Sequence, residues 1–334
     1  MTQAVTEAPT AVVFGRPVLP PAEEGRAPYW RLSLRAISQL AFQTNEVTAV
    51  IFIIAVASYG WVADQWQQVA LLVIGAFVGT AGALVTTSAL GTKSGLPMQI
   101  GLYGFNSCLI GLALGNFFAV NAALWIWTIV LAGLIGALTA AGDKFIPFPI
   151  LATPFIIPFW IMYALDERVG LDKIELPPWE TGGEIFYLQS AVASVGSSLF
   201  SGVLIAGIFY LVGATLSNWR HALVALLGGL IGSAVAALFE APSEAILTGF
   251  TGFNAVLAAL GIYVMCGEDL RLAVSGAVLS TLLMAVVIET GLQPLASGFV
   301  LATWLIMFLG WFQPRYWGPD PKADLENEAY RENG

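Results

Sequence analysis

Gly101–Leu114 reads GLYGFNSCLIGLAL, and Gly249–Ile262 reads GFTGFNAVLAALGI. Six of these 14 positions are identical, at an offset of 148 residues. Two further pairs flank this one in the same order. Gly75–Ala83 (GAFVGTAGA) matches Gly228–Ala236 (GGLIGSAVA) at an offset of 153, and Leu151–Trp160 (LATPFIIPFW) matches Leu295–Trp304 (LASGFVLATW) at an offset of 144. Three matches in one order mark a duplicated unit. The shrinking offset requires only slightly shorter connections in the second copy.

The repeats lie in a chain of 334 residues that is 57% hydrophobic and only 10% charged. A soluble domain carries about 25% charged residues. Apolar stretches recur, each near the ~20 residues that a helix needs to cross a bilayer. In hydrocarbon every backbone polar group needs an internal partner, so such stretches are helices. A transmembrane barrel would alternate in short segments instead. Ten segments are expected, at about 36–60, 67–90, 96–118, 121–141, 146–165, 186–215, 219–239, 245–266, 270–289 and 292–313. Five per unit is an odd number, so the second copy is expected upside down relative to the first. The reading is an all-α polytopic membrane protein of two inverted repeats, with broken or re-entrant helices lining a path at the repeat interface.

Charge placement tests the count, because cytoplasmic loops are enriched in Lys and Arg. With a cytoplasmic N-terminus, Arg16, Arg26, Arg31 and Arg35 share a side with Lys93, Lys144, Arg220, Arg271, Arg315, Lys322 and Arg331. That is 11 of the 13 basic residues; only Arg168 and Lys173 fall outside. The division of the chain is then a disordered cytoplasmic tail at 1–35, a first repeat at 36–165, an external loop at 166–185, a second repeat at 186–313 and a cytoplasmic tail at 314–334. No signal peptide is read in the polar, proline-rich start. The net charge of −9 sits largely in tails and loops and does not point to nucleic acid. Cys108 and Cys266 fit buried thiols rather than a disulfide framework.

The small-residue pairs Gly75/Gly79 and Gly228/Gly232 allow close helix approach. Pro97, Gly101 and Gly104 disfavour a straight helix, so a half-helix is expected there, with Asn106 and Asn254 capping exposed backbone at a break. Phe105 and Phe253 then sit at matching depth, with Leu109 and Leu257 one turn further. Thr153 beside Pro154, and Ser297 beside Gly298, form a second symmetric pair of hydroxyl and helix breaker. Aromatic and hydroxyl groups without charge suit a neutral, planar, hydrogen-bonding solute, whereas an ion path wants charged rings or a carbonyl cage. A proton-coupled transporter would want a buried titratable group, and Glu46 is the candidate within an apolar segment. An ammonia-type channel would want pore imidazoles, and the one histidine, His221, reads as part of a loop beside Arg220. No metal cluster, cofactor site or nucleophile–base–orienter set is read, so an enzyme is not expected.

GLYGFN at 101–106, TGFN at 251–254, the paired LATPF and LASGF segments and AISQLAFQTN at 36–45 together resemble the urea transporter family, over about Ile37 to Phe308. The resemblance implies a passive, channel-type path for urea or a closely related small amide in a bacterial-type inner membrane. It also implies a homotrimer with one pore per protomer, surrounded by lipid. Slot phenylalanines would correspond to Phe42, Phe105 and Phe253, their wall partners to Leu109 and Leu257, and a polar mouth group to Gln39. The chain departs from the family pattern where Ala152 and Ala296 stand at the usual threonine positions, with the hydroxyls moved on to Thr153 and Ser297. Val192 is expected as the second-half counterpart of Gln39, with Gln189 one turn earlier.

Overall fold

A computed structural model of the chain describes residues 11–19, 27–92, 95–174 and 179–312. A short hairpin comes first, of β1 (Val12–Val13) and β2 (Arg16–Pro17). The first half then runs through α1 (Tyr29–Ser38), α2 (Glu46–Ala63), α3 (Gln67–Leu90), α4 (Leu96–Gln99), α5 (Phe105–Phe117), α6 (Ala122–Phe145), α7 (Thr153–Ala164) and α8 (Asp166–Val169). The second half runs through α9 (Tyr187–Ser197), α10 (Leu204–Leu238), α11 (Ser243–Leu247), α12 (Phe253–Met265), α13 (Leu270–Glu289) and α14 (Ser297–Phe312). Among the described residues, α2, α3, α6, α10 and α13 are long and apolar enough to cross a membrane. The apolar helices α5, α7, α12 and α14 hold 13, 12, 13 and 16 residues. At 1.5 Å per residue they reach about 18–24 Å, short of the ~30 Å hydrocarbon core. The chain is a multi-pass membrane protein that combines five long apolar helices with four shorter ones among the described residues.

The two halves stop their helices in the same places. The turn after α1 carries Phe42 in the left-handed region (φ 54°), and the turn after α9 carries Phe200 there (φ 56°). Gly101 (φ 82°) precedes α5 as Gly249 (φ 77°) precedes α12, and Leu151 (φ 49°) precedes α7 as Leu295 (φ 44°) precedes α14. Gly101 and Gly249 also admit no side chain. A Cβ would lie 2.6 Å from the Ala36 nitrogen at the first, and 2.2 Å from the Ser194 nitrogen at the second. At 35 residues α10 is about 52 Å long, and Asn218 (φ −148°, ψ 102°) breaks it in two, where α2 and α3 are separate helices in the first half. Phe52 of α2 stacks on Tyr210 of α10, with ring centroids 4.6 Å apart and planes at 21°.

Several expectations are corrected here. The segment 1–35 is not simply a tail. It forms the β1–β2 hairpin, and α1 starts at Tyr29, so Arg31 and Arg35 are buried helix residues rather than tail cations. The expected segment 36–60 is interrupted between Ser38 and Asn45, and 186–215 between Ser197 and Leu204. Both interruptions are made of residues that look apolar or neutral, so hydropathy passes over them. The segments at 146–165 and 292–313 turn helical only from Thr153 and Ser297. Lys93, Arg26, the C-terminal tail 314–334 with its three cations, and part of the 166–185 loop lie outside the described residues.

The glycine pairs pack as their spacing implied. A Cβ on Gly75 would come within 2.2 Å of the Ser107 carbonyl oxygen on α5, and one on Gly79 within 2.2 Å of the Ser107 Cβ. Gly228 and Gly232 press α10 against α12 in the same manner, at 2.7 Å from the Ala255 oxygen and the Gly252 Cα. Contact at this range, with backbone at Gly75 and with the Ser107 Cβ at Gly79, leaves no room for a methyl group. Gly79→Ala is therefore expected to destabilise the protein by about 3 kcal/mol or more. Gly133→Ala, whose Cβ would meet only Val78 at 3.6 Å, is expected to be near neutral. Thermal unfolding of both variants in detergent measures the contrast.

Candidate functional site

A helix that stops in an apolar setting leaves backbone groups that need partners. Two asparagines answer this at equivalent places. Asn106 Nδ2 donates to the Leu151 carbonyl at 3.0 Å and to Thr139 Oγ1 at 3.3 Å. Asn254 Nδ2 donates to the Leu295 carbonyl at 2.7 Å, and its Oδ1 accepts the Phe299 N–H at 2.8 Å. Both asparagines are fully buried. The capping role expected of them is present, but the break they serve is the one before α7 and α14, not the one beside their own motif.

Side chains on α7 and α14 then cross between the halves. Trp160 Nε1 donates to the Gln293 carbonyl, and Trp304 Nε1 donates to the Pro149 carbonyl, each at 2.8 Å. The ring of Phe42 meets Phe299 edge-on, with centroids 6.0 Å apart and planes at 74°. The ring of Phe200 meets Phe155 at 6.5 Å and 86°. Phe42 and Phe155 belong to the first half, Phe299 and Phe200 to the second, so the left-handed turn of each half closes on the other half's short helix. Edge-on aromatic pairs of this geometry contribute about 0.5–1.5 kcal/mol beyond burial.

The polar group at each turn is also matched. Gln39 Nε2 donates to the Ile100 carbonyl at 3.0 Å, and Ser197 Oγ donates to the Thr248 carbonyl at 2.8 Å. Those carbonyls immediately precede Gly101 and Gly249. Ser197, not Val192, is therefore the counterpart of Gln39. Phe105 and Phe253 open α5 and α12, with Leu109 and Leu257 one turn along, and all four belong to or pack on the same core as Phe155 and Phe299. Among the described residues no ring contact joins Phe42 to Phe105 or Phe253; Phe253 instead lies 6.0 Å from Phe250.

Thr153 and Ser297 both return their hydroxyl to their own backbone, on the carbonyls of Ile150 and Pro294. This is the local bond a hydroxyl makes at a helix start. Thr153 further lines an apolar groove of about 200 Å³ with Leu138, Ile146, Ile150 and Ile157, between α6 and α7. Ala152 and Ala296, which precede them, are buried.

Glu46 opens α2 and is 2% exposed. Its Oε1 lies 2.6 Å from Arg31 Nε and 2.9 Å from Arg35 Nε, and Arg35 Nη1 reaches the Gln99 carbonyl at 2.6 Å. Two guanidinium groups on one carboxylate oxygen, with the Gln99 carbonyl beyond, make a strut between α1, α2 and α4. His221 lies on α10 rather than in a loop, edge-on to Tyr263 at 6.3 Å.

Apolar helices interrupted in both halves, with the interruptions interlocked across one seam, are an arrangement that membrane transport proteins use. The sequence profile of the urea transporter family matches residues 30–310. The chain belongs to that family, and urea is the solute this membership implies.

Sequence reasoning missed Phe200, Phe155, Phe299, Ser197 and the two indoles. The signals were present. Phe155 and Trp160 align with Phe299 and Trp304 within the quoted repeat, and Gln39-Leu-Ala-Phe42 aligns with Ser197-Ser-Leu-Phe200. Asn254 satisfies two backbone groups, whereas Asn106 Oδ1 has no hydrogen-bond partner among the described residues. Asn254→Ala is thus expected to lower stability by about 2–3 kcal/mol and Asn106→Ala by about half as much, as read from denaturation midpoints in detergent.

Proposed function

We propose that the chain forms a passive, channel-type path for urea, or a closely related small neutral amide, down its gradient. The path runs along the seam between two inverted five-segment halves, ten crossings in all, in a bacterial-type inner membrane with both termini cytoplasmic. Each protomer of a homotrimer has its own path. The observation that carries this reading is the crossed set of contacts, Phe42 with Phe299 and Phe200 with Phe155, which puts the broken helices of both halves at one seam.

Phe42, Phe105 and Phe253 supply aromatic faces along the path, Leu109 and Leu257 its apolar walls, and Gln39 a polar group at one end. Phe200 adds an aromatic face at the opposite end. Urea is flat and polar, so its N–H groups can face a ring while its edges meet backbone oxygens freed by the breaks. Thr153 and Ser297 shape the waist by fixing the starts of α7 and α14, next to Ala152 and Ala296. Coupling to protons has no support at Glu46, which Arg31 and Arg35 hold.

Stopped-flow shrink–swell measurements on proteoliposomes test the reading, comparing urea, formamide, acetamide, ammonia and water. Urea flux well above that of empty vesicles is expected, unaltered by a pH gradient or a protonophore. Flux no greater than in empty vesicles would sink the proposal, and flux that follows the pH gradient would favour the coupled alternative. Phe42→Ala and Phe200→Ala are each expected to change the urea-to-acetamide flux ratio. If neither does, the rings serve packing alone.

A further inference from the structure

The last four carbonyls of a helix lack partners within it. The break at Asn218 gives the first part of α10 such an end, and the other half of the chain takes it up. The Gly213 carbonyl accepts from Thr48 Oγ1 at 2.8 Å, the Ala214 carbonyl from Gln43 Nε2 at 3.2 Å, and the Leu216 carbonyl from the backbone N–H of Phe14 at 2.9 Å. The equivalent end of α2 is closed by its own chain: Asp64 turns left-handed (φ 54°), and Gln65 N–H returns to the Gly60 carbonyl at 3.1 Å. Among the described residues the hairpin is thus an addition beside the α10 break, with no counterpart beside the end of α2.

Its second tie is to Asn45. The Asn45 Oδ1 caps α2 through the N–H groups of Val47 and Thr48, while its Nδ2 donates to the Val12 carbonyl at 2.6 Å. Asn45 also ends the turn that carries Phe42. Ser38 closes that turn from inside, with its Oγ donating to the Gln43 carbonyl at 2.7 Å and accepting the Asn45 N–H at 3.1 Å. The hairpin bends at Phe14 and Gly15, with φ of 48° and 74°, as a two-residue primed turn requires. Left-handed backbone is unfavourable for a bulky residue. Phe14 is 70% exposed, so burial of the ring does not hold it there; the β1–β2 pairing and the bond to Leu216 do.

We infer that the hairpin Val12–Pro17 is a clasp that ties the two halves together at one end and positions the Phe42 turn, so that it sets solute selectivity at that end of the path. The selectivity part rests on the proposed role of Phe42 as a wall of the urea path.

The test uses Phe14→Pro and Phe14→Gly in the full chain, reconstituted in proteoliposomes. Proline removes the N–H that Leu216 accepts and forbids a positive φ. Glycine keeps the N–H and adopts that φ freely. Hydrogen exchange of the Ser38–Thr48 backbone is expected to quicken about tenfold in Phe14→Pro, as loss of one net hydrogen bond implies. It is expected to stay at or below the wild-type rate in Phe14→Gly. The urea-to-N-methylurea flux ratio is expected to fall about threefold or more in the proline variant alone. Unchanged exchange in Phe14→Pro overturns the clasp, and an unchanged flux ratio despite faster exchange overturns its positioning role. Should the wild type carry no urea, the function proposal fails while the exchange result still decides the clasp. If Phe14→Pro does not fold, Asn45→Asp keeps the cap on α2 but replaces the donor to Val12 with an acceptor, and the same two readouts apply.

Discussion

Hydrocarbon offers no hydrogen bonds, and the rest of this structure follows from how its interrupted helices satisfy their own backbone. Each break exposes carbonyls, and each is met by a short polar side chain or an indole from elsewhere in the chain. Asn106 and Asn254 serve the breaks before α7 and α14. Gln39 and Ser197 serve the carbonyls before Gly101 and Gly249. A path for a polar solute needs oxygens that are not already used along a helix. A membrane protein can present them only where irregular backbone is shielded from lipid. The side chains that shield it therefore also decide where the path can run.

The two left-handed turns are alike in outline and different in detail. Both have a left-handed phenylalanine leaning on the other half's short helix. One also carries the buried Arg31–Glu46–Arg35 cluster and the hairpin, while at the other the Phe200 carbonyl accepts from Asn116 Nδ2 at 3.1 Å. Taking charges out of water is costly unless they are well paired, so such a cluster fixes geometry more than it adds net stability. Here it joins α1 to α2 and, through the Gln99 carbonyl, to α4. The turn at Phe42 is thus braced by ionic, polar and β-hairpin contacts at once.

The helical multi-pass class and the family were legible in the sequence because they rest on composition and on motifs that the sequence carries intact. The close approaches of Gly75, Gly79, Gly228 and Gly232 were legible for the same reason. The breaks at Ser38–Asn45 and Ser197–Leu204 were not. They contain no proline and one of them no glycine, and their neutral residues read as a continuation of the apolar run. The helix at Tyr29–Ser38 was hidden by two arginines, whose burial depends on a glutamate 11–15 residues away that a sequence window cannot pair with them. The partners of the Thr153 and Ser297 hydroxyls were not legible for a local reason: each has a carbonyl three residues back within reach, and this near partner takes the hydrogen bond.

The paired indole bonds bear on how the molecule is made. Pro149 sits in the first half, yet the indole that bonds its carbonyl is on Trp304, near the chain's end. The Phe42 ring likewise meets Phe299 only after most of the chain has been synthesised. The seam of the first half therefore stays unfinished until α14 is made, and α14 then completes both halves together.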